Sequence, residues 1–506
     1  MRMFRSPSLK VAATLASTLL LTACFDKPEP TATGADSSRI RLAMLLPPRS
    51  ALSPFSDDAF KLSRWRAGET LVVLDANGDA QPALATHWQQ IDELTWHFTL
   101  RDGVKFHDGG DFNANAVVNA LTAATRATPK PRILDGVTLS VTAEDARTVQ
   151  IKTATRDPLL PQRLSSPQLT LLSPAAYGAN GVVSPVKTGT GPFVLTQVNG
   201  TSSARLDRFD GYWGSKATAP GIDVDFVPDS AARTAALRTG TADLVEAIPV
   251  SQAPLLDPAL VHEVPMPRTN TLYLNTRRGV FSDPGLRAAA RDAIRRDILV
   301  KNVYENRADV AAGLLGPAVQ WAAALRQPVA APTAARSPNG ATITLATFSD
   351  RAELPEVAVY LAQQLTAAGF TVKQEVREYS QIEADALAGH FDAFILSRAT
   401  VLDSGDPVAY LYSDFSCKGS FNISQLCNQE VDDALKQAAA TPAGEARRQA
   451  IMVAEHLILA TNAAIPLLHE RVIQGESARL RQAIRDPRER TLIDVQTHID
   501  GAPAKP

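Results

Sequence analysis

The chain has few of the features that mark common enzyme or scaffold classes. Past its first residues, none of its 506 has an apolar run near the ~20 needed to cross a bilayer. It has no nucleophile elbow G-x-S-x-G, no zincin helix H-E-x-x-H and no P-loop. Scattered Ser, His and Asp still permit a triad assembled from distant segments, so an exported hydrolase is kept as an alternative. The eight histidines, His87, His97, His107, His262, His390, His456, His469 and His498, form no metal-ligand spacing, so direct metal binding is unsupported. No repeat of solenoid period is present. The formal charge is −2, and subtracting the leader's Arg2, Arg5 and Lys10 leaves −5, which argues against nucleic acid as a partner. Cysteines number three.

What the sequence does have begins at the N-terminus. Arg2, Arg5 and Lys10 form a positive n-region, and Val11 to Leu21 is a short apolar run. Leu21-Thr22-Ala23-Cys24 then matches a bacterial lipobox, so residues 1–23 are expected to be a signal peptide and Cys24 a lipidation site. More than one acyl chain would hold the protein on a membrane surface. Residues 24–38, rich in Pro, Thr and Ser, read as a flexible tether. The two remaining cysteines, Cys417 and Cys427, read as a disulfide in an oxidising compartment. A metal site is the rival reading, weakened by nine intervening residues and no nearby His. At 45% hydrophobic and 21% charged, the composition is globular, and the length suggests more than one lobe.

Strand and helix patterns alternate, which predicts an α/β chain. Strands are expected at 39–46, 70–74, from 80 onward and at 95–100, where Trp96, Phe98 and Leu100 share a face. Asp75-Ala76-Asn77-Gly78-Asp79 reads as a turn rather than a calcium loop, since Ala80 and Thr86 stand where Gly and Glu are needed. Helices are expected at 113–125, 230–238 (ended by Gly240), 284–304 as a pair, 354–368 (stopped by Gly369), 431–440 and 445–461. Residues 327–340, with Pro328, Pro332 and Pro338, read as a surface excursion.

Several blocks, in order, resemble the extracytoplasmic solute-binding proteins of family 5, the peptide/nickel type that serves ABC importers. The most specific is Trp96 through Leu100-Arg101-Asp102-Gly103-Val104-Lys105-Phe106-His107-Asp108-Gly109. Glu69-Thr70-Leu71-Val72, Thr188-Gly189-Thr190-Gly191-Pro192-Phe193, Tyr212-Trp213-Gly214, Asp229 with Arg233, and Leu286-Arg287 with Arg295-Arg296 continue it, over about residues 39–473. The segment 327–340 departs from the family, whose members carry a helix and a Gly-Trp turn there. The resemblance implies a two-lobed periplasmic-binding-protein-like (type II) α/β fold with an extra subdomain in the first lobe. The expected division is lobe I at 39–268, with the subdomain at about 75–185, lobe II at 269–470, and a return to lobe I at 471–506. Most motif residues, His97 and His107 among them, are then fold determinants, with Trp96 and Trp213 expected to be buried.

The resemblance also implies a ligand enclosed between the lobes, whose charges need partners. Asp403, in Leu402-Asp403-Ser404-Gly405-Asp406-Pro407, stands where peptide-binding relatives place a carboxylate for the peptide's α-ammonium. Asp406 belongs to the same candidate set, although an Asp before Pro also suits a turn cap. Arg132, in Pro129-Lys130-Pro131-Arg132, matches the place where nickel-chelate relatives set an Arg for chelator carboxylates. Cys417 and Cys427 resemble the disulfide of dipeptide-binding relatives. The expectation is therefore a monomeric binding protein, not an enzyme and without a cofactor. It would deliver a small peptide to permease and ATPase subunits, with a metal–chelate complex as the alternative ligand. A binding protein reused as a sensor or chaperone has the same sequence features.

Overall fold

The computed structural model describes residues 38–501 except 76, 77, 179, 330–332, 402 and 403. Cys24 and Asp403 thus lie outside the described residues, as do the expected leader and all of the tether before Ser38. Among the described residues no helix is long and apolar enough to cross a membrane.

Two long antiparallel strands, Val261–Leu274 and Ala464–Glu476, organise the molecule. They belong to a mixed sheet of eleven strands among the described residues. On one side of them lie the parallel strands Ile40–Met44 and Gly221–Phe226. On the other, Thr342–Phe348 pairs in parallel with Thr371–Arg377 and with Ala393–Ala399. Each set is the centre of one lobe, and the long pair crosses between them. Their ladder loses register between Pro265 and Thr269. Such an irregularity bends a strand locally.

The elements follow from the residues. Ala393–Ala399 is buried along its whole length, as a central strand covered on both faces requires. Asn113, Asp229, Asp283 and Asn428 each accept a backbone N–H at the start of their helices. Gly240 and Gly369 take positive φ just past helix ends. The expected helix pair at 284–304 is Pro284–Ala293 and Arg296–Asn302. The turn at 75–79 joins Val72–Leu74 to Ala80–Pro82 as a hairpin, with Gly78 N–H donating to the Asp75 carbonyl at 3.1 Å. The described part of 327–340 contains neither helix nor strand.

Ala85–Gln90, Thr95–Leu100, Thr148–Thr153 and Leu139–Ala143 form a separate antiparallel sheet. The helix Ala114–Arg126 covers it, and Phe98, Val117, Leu121 and Ile151 fill the core between them. The first lobe has its own core around Ile40, Trp65, Phe193 and Leu206. The second lobe's core continues past the long strands to Val245 and Ile248.

Two aromatic expectations need correction. Trp96 and Trp213 are half-buried, not core residues. Trp213 packs against the subdomain core from its rim, its Nε1 donating to Glu69 at 2.9 Å and Arg101 lying over its ring at 4.2 Å. The fully buried indole is Trp65, at 0% exposure.

Burial also sets a pH dependence. His469, on a long strand, is 3% exposed, and burial together with the nearby Arg326 lowers its pKa from 6.5 to about 4. The folded chain therefore binds this proton less readily than the unfolded one. The contribution to stability is complete above pH 6.5 and is lost as pH falls toward 4, amounting to about 3 kcal/mol. Urea unfolding at pH 7 and pH 4.5 is expected to show this loss, and His469→Gln to flatten that part of the profile.

Candidate ligand cleft

The cleft is built from segments far apart in sequence. The first strand's end, Met44 to Leu46, leads to Arg49 and to the turn before the helix Ala59–Arg64, which carries Asp57, Lys61 and Arg64. The short helix Arg132–Leu134 brings Arg132 from the inserted subdomain. Across from them stand Asp350 and Arg351, then Tyr379, then Arg398 on the strand Ala393–Ala399. Arg268, on a long strand, and Glu489, from the C-terminal return, close one end. These walls enclose a cavity of about 150 Å³.

Its electrostatics are organised as pairs. Arg132 Nη1 donates to Asp57 Oδ1 at 2.9 Å, and Arg49 Nη2 lies 3.7 Å from Asp57 Oδ2. Burial raises the Asp57 pKa, but the positive charges of Arg132, Arg49 and Arg398 outweigh it and hold the carboxyl below its ordinary range. Glu489 is similar: burial is overcome by Arg268, Arg64 and Arg351, which bring its pKa to about 2. Each lining cation has a carboxylate beside it. Lys61 pairs with Asp58 at 2.9 Å and Arg64 with Glu246 at 2.6 Å. Arg398 donates twice to Asp414, at 2.9 and 2.8 Å, and Arg351 reaches Glu470 at 3.5 Å. Arg268 pairs with Glu489, while its Nε–H is buried without a hydrogen-bond partner among the described residues. A lining of paired charges keeps ionised groups available at low desolvation cost.

The lobes also touch one another directly. Arg49 crosses to Glu383 at 2.8 Å and sits over the Tyr379 ring at 5.1 Å. Asp135, just past the short Arg132 helix, accepts the Ser420 hydroxyl. Gly405 packs on the hairpin, where a Cβ on it would lie 2.4 Å from the Leu74 Cδ1. These contacts describe a closed arrangement.

The candidate residues fall in different places. Arg132 lies on the cavity wall. Asp406 is not among the lining residues: it caps the helix Pro407–Phe415 through Val408 N–H, and accepts from Arg447 at 2.8 and 3.0 Å. Asp403 lies outside the described residues, three positions before that cap. Cys417 and Cys427 form a disulfide that closes the loop carrying Ser420 and Phe421, the latter a lining residue. His107 donates Nε2–H to the Gly191 carbonyl at 2.9 Å and stays in the scaffold. The sequence reading did not single out Arg49, Asp57, Arg268, Arg351, Arg398 or Glu489. One local signal existed for Arg398, a charge two residues past the apolar run Phe394-Ile395-Leu396 on the same strand. The disulfide makes its own prediction. On the chain-entropy model a closed loop of this size stabilises by about 3 kcal/mol. Cys417→Ser with Cys427→Ser is expected to lower the urea midpoint accordingly and to free the loop at Phe421.

The model of the bacterial extracellular solute-binding proteins, family 5 Middle, matches residues 79–422. The glutathione-binding protein GsiB of Escherichia coli O1:K1 / APEC is 29% identical over 446 residues, covering 81% of this chain and 84% of that protein. Among solved structures, NikA from Staphylococcus aureus in complex with Ni(L-His)2 superposes with a TM-score of 0.81 at 20% identity, over 92% of this chain and all of that one. DppA from Helicobacter pylori in complex with the peptide STSA gives 0.79 at 21%, over 91% of this chain and 98% of that one. The two solved structures share the two-lobed fold. With the family match running through the inserted subdomain and into the second lobe, the chain belongs to the bacterial extracellular solute-binding proteins of family 5.

Proposed function

We propose that this protein receives a small peptide in the cleft between its lobes and delivers it to the permease and ATPase of an ABC importer. The observation that carries the reading is the interlobe cavity lined by paired charges from both lobes, with Asp57 and Glu489 each set among three guanidiniums. A free peptide is a zwitterion. It can exchange partners with such a lining without leaving a net buried charge, which a polyanion cannot. The peptides and glutathione named for relatives are consistent with this class. A metal–chelate complex is the second reading, favoured by Arg132 on the wall, where a guanidinium suits a chelator carboxylate.

On this reading the lobes divide at 268/269 and 470/471, beside the register break. Closing traps the solute, and contacts available only in the closed form favour that state. Asp403 is the anchor for the peptide's α-ammonium, and its neighbour in sequence, Ser404, is buried. Cys24 carries a lipid, and the protein works as a monomer outside the cytoplasm.

Native mass spectrometry of freshly purified protein should find a bound peptide. Isothermal titration should then rank dipeptides above nickel chelates. Asp403→Ala is expected to weaken dipeptide binding at least tenfold, about 1.4 kcal/mol. A change within about threefold would remove Asp403 from the site. Tight binding of the chelates with none of the dipeptides would move the function to the second reading.

A further inference from the structure

Asp57 and Asp58 are neighbours with opposite situations. Asp58 is 2% exposed and accepts from the backbone N–H groups of Arg49 and Ser50, and from Lys61. It is part of the scaffold. The Asp57 side chain is 41% exposed inside the cavity wall, and among the described residues its hydrogen bond is to Arg132. Its other close cation is Arg49, and Arg398 acts on it from the opposite lobe.

Arg49 and Arg398 do not depend on Asp57 for their positions. Arg49 is held by Glu383 and the Tyr379 ring. Arg398 is held by Asp414 and by the Phe421 ring at 4.5 Å. Arg132 is brought to the wall by the short helix that carries it and is 11% exposed. A carboxylate that left Asp57's place would leave a preformed receptor for another carboxylate. Preorganised guanidiniums from both lobes are what a transiently enclosed anion requires.

We propose that Asp57 is a built-in occupant of a carboxylate subsite formed by Arg49, Arg132 and Arg398, displaced by a carboxylate of the solute. The proposal rests on the cleft being the solute site, and deepens that reading by assigning one end of the ligand. Two carboxylates drawn to one set of guanidiniums repel, so Asp57 withdraws toward solvent when the ligand arrives. The competition lowers affinity for carboxylate-bearing solutes and leaves solutes without one at that end unaffected. The carboxylate can be a peptide C-terminus or a chelator group.

The test is isothermal titration of the delipidated mature protein and its Asp57→Asn variant with dialanine, dialanine amide and the nickel–histidine chelate. Asp57→Asn should bind dialanine about tenfold more tightly than wild type and bind the amide within about twofold of it. A gain for the chelate in place of dialanine identifies the chelator as the carboxylate source. Equal gains for dialanine and its amide, or a loss for both, overturn the proposal. Acetate gives a readout independent of any peptide: it should raise the melting temperature of Asp57→Asn more than that of wild type. If no peptide or chelate binds wild type but the acetate difference persists, the proposed function fails and the subsite stands. If acetate acts equally on both, the subsite fails. Should Asp57→Asn not fold, Arg49→Gln decides: a loss confined to dialanine supports the subsite, and equal losses for dialanine and its amide overturn it.

Discussion

Asp414→Ala is expected to destabilise the chain by about 3–5 kcal/mol. Asp414 is fully buried on the helix Pro407–Phe415. It accepts both Arg398 donors, and the Ser413 hydroxyl at 2.7 Å. Alanine would take the Asp414 carboxylate away from the Arg398 guanidinium, which is 9% exposed and lies over the rings of Tyr410 and Phe421. The penalty is that of removing one partner of a buried pair, not the net worth of the pair. Replacing both partners, with Arg398→Met and Asp414→Leu, should recover most of the stability. It should not recover ligand affinity, because the cavity would then lack one of the two lining cations of the second lobe, keeping Arg351 alone. Urea unfolding of the two variants, with titration of the double one, separates these effects. A double variant that binds like wild type would show that Arg398 serves the fold alone.

Gly191→Ala should cost at least about 3 kcal/mol and will prevent folding if the local backbone cannot yield. A Cβ there would lie 1.8 Å from the Arg66 carbonyl oxygen, and backbone cannot step aside as a flexible side chain can. The turn leading into Phe193–Asn199 packs directly on residues 66–69. Gly191 N–H meets the Ala67 carbonyl, and Thr190 donates to Glu69 at 2.8 Å. Gly103→Ala is the control for glycine replacement as such. Gly103 has positive φ, which Gly191 does not, but its Cβ would meet nothing within 4 Å. Its cost should stay near the ~1 kcal/mol of backbone strain alone. Equal urea midpoints for the two variants would show that the close approach at Gly191 is not what requires glycine.

The scaffold was legible because its signals are local. Asn113, Asp229 and Asp283 announce helix starts through side chains that reach only two or three residues ahead. Gly240 and Gly369 mark helix ends for an equally local reason. The buried indole was misjudged because burial is not local. Trp96 and Trp213 stand in recognisable motifs, yet Trp65, in a segment without one, fills the first lobe's core. The cleft was less legible still. Arg132 could be named from its motif, but its partner Asp57 is 75 residues away and nothing in either segment points to the other. Asp406 shows the converse: a carboxylate in the right neighbourhood that the fold uses to hold Arg447.

The sequence by itself determined the class of fold, the order of its elements, the cysteine pair, and the turns and caps that shape each lobe. Those depend on backbone preferences and on side chains a few residues apart. Only the tertiary structure decided which charges face the cavity. Arg49, Arg132, Arg268, Arg351 and Arg398 become neighbours because the long strands carry the chain twice between the lobes. Coulombic interaction depends on distance in space, and the chain sets that distance only when it closes.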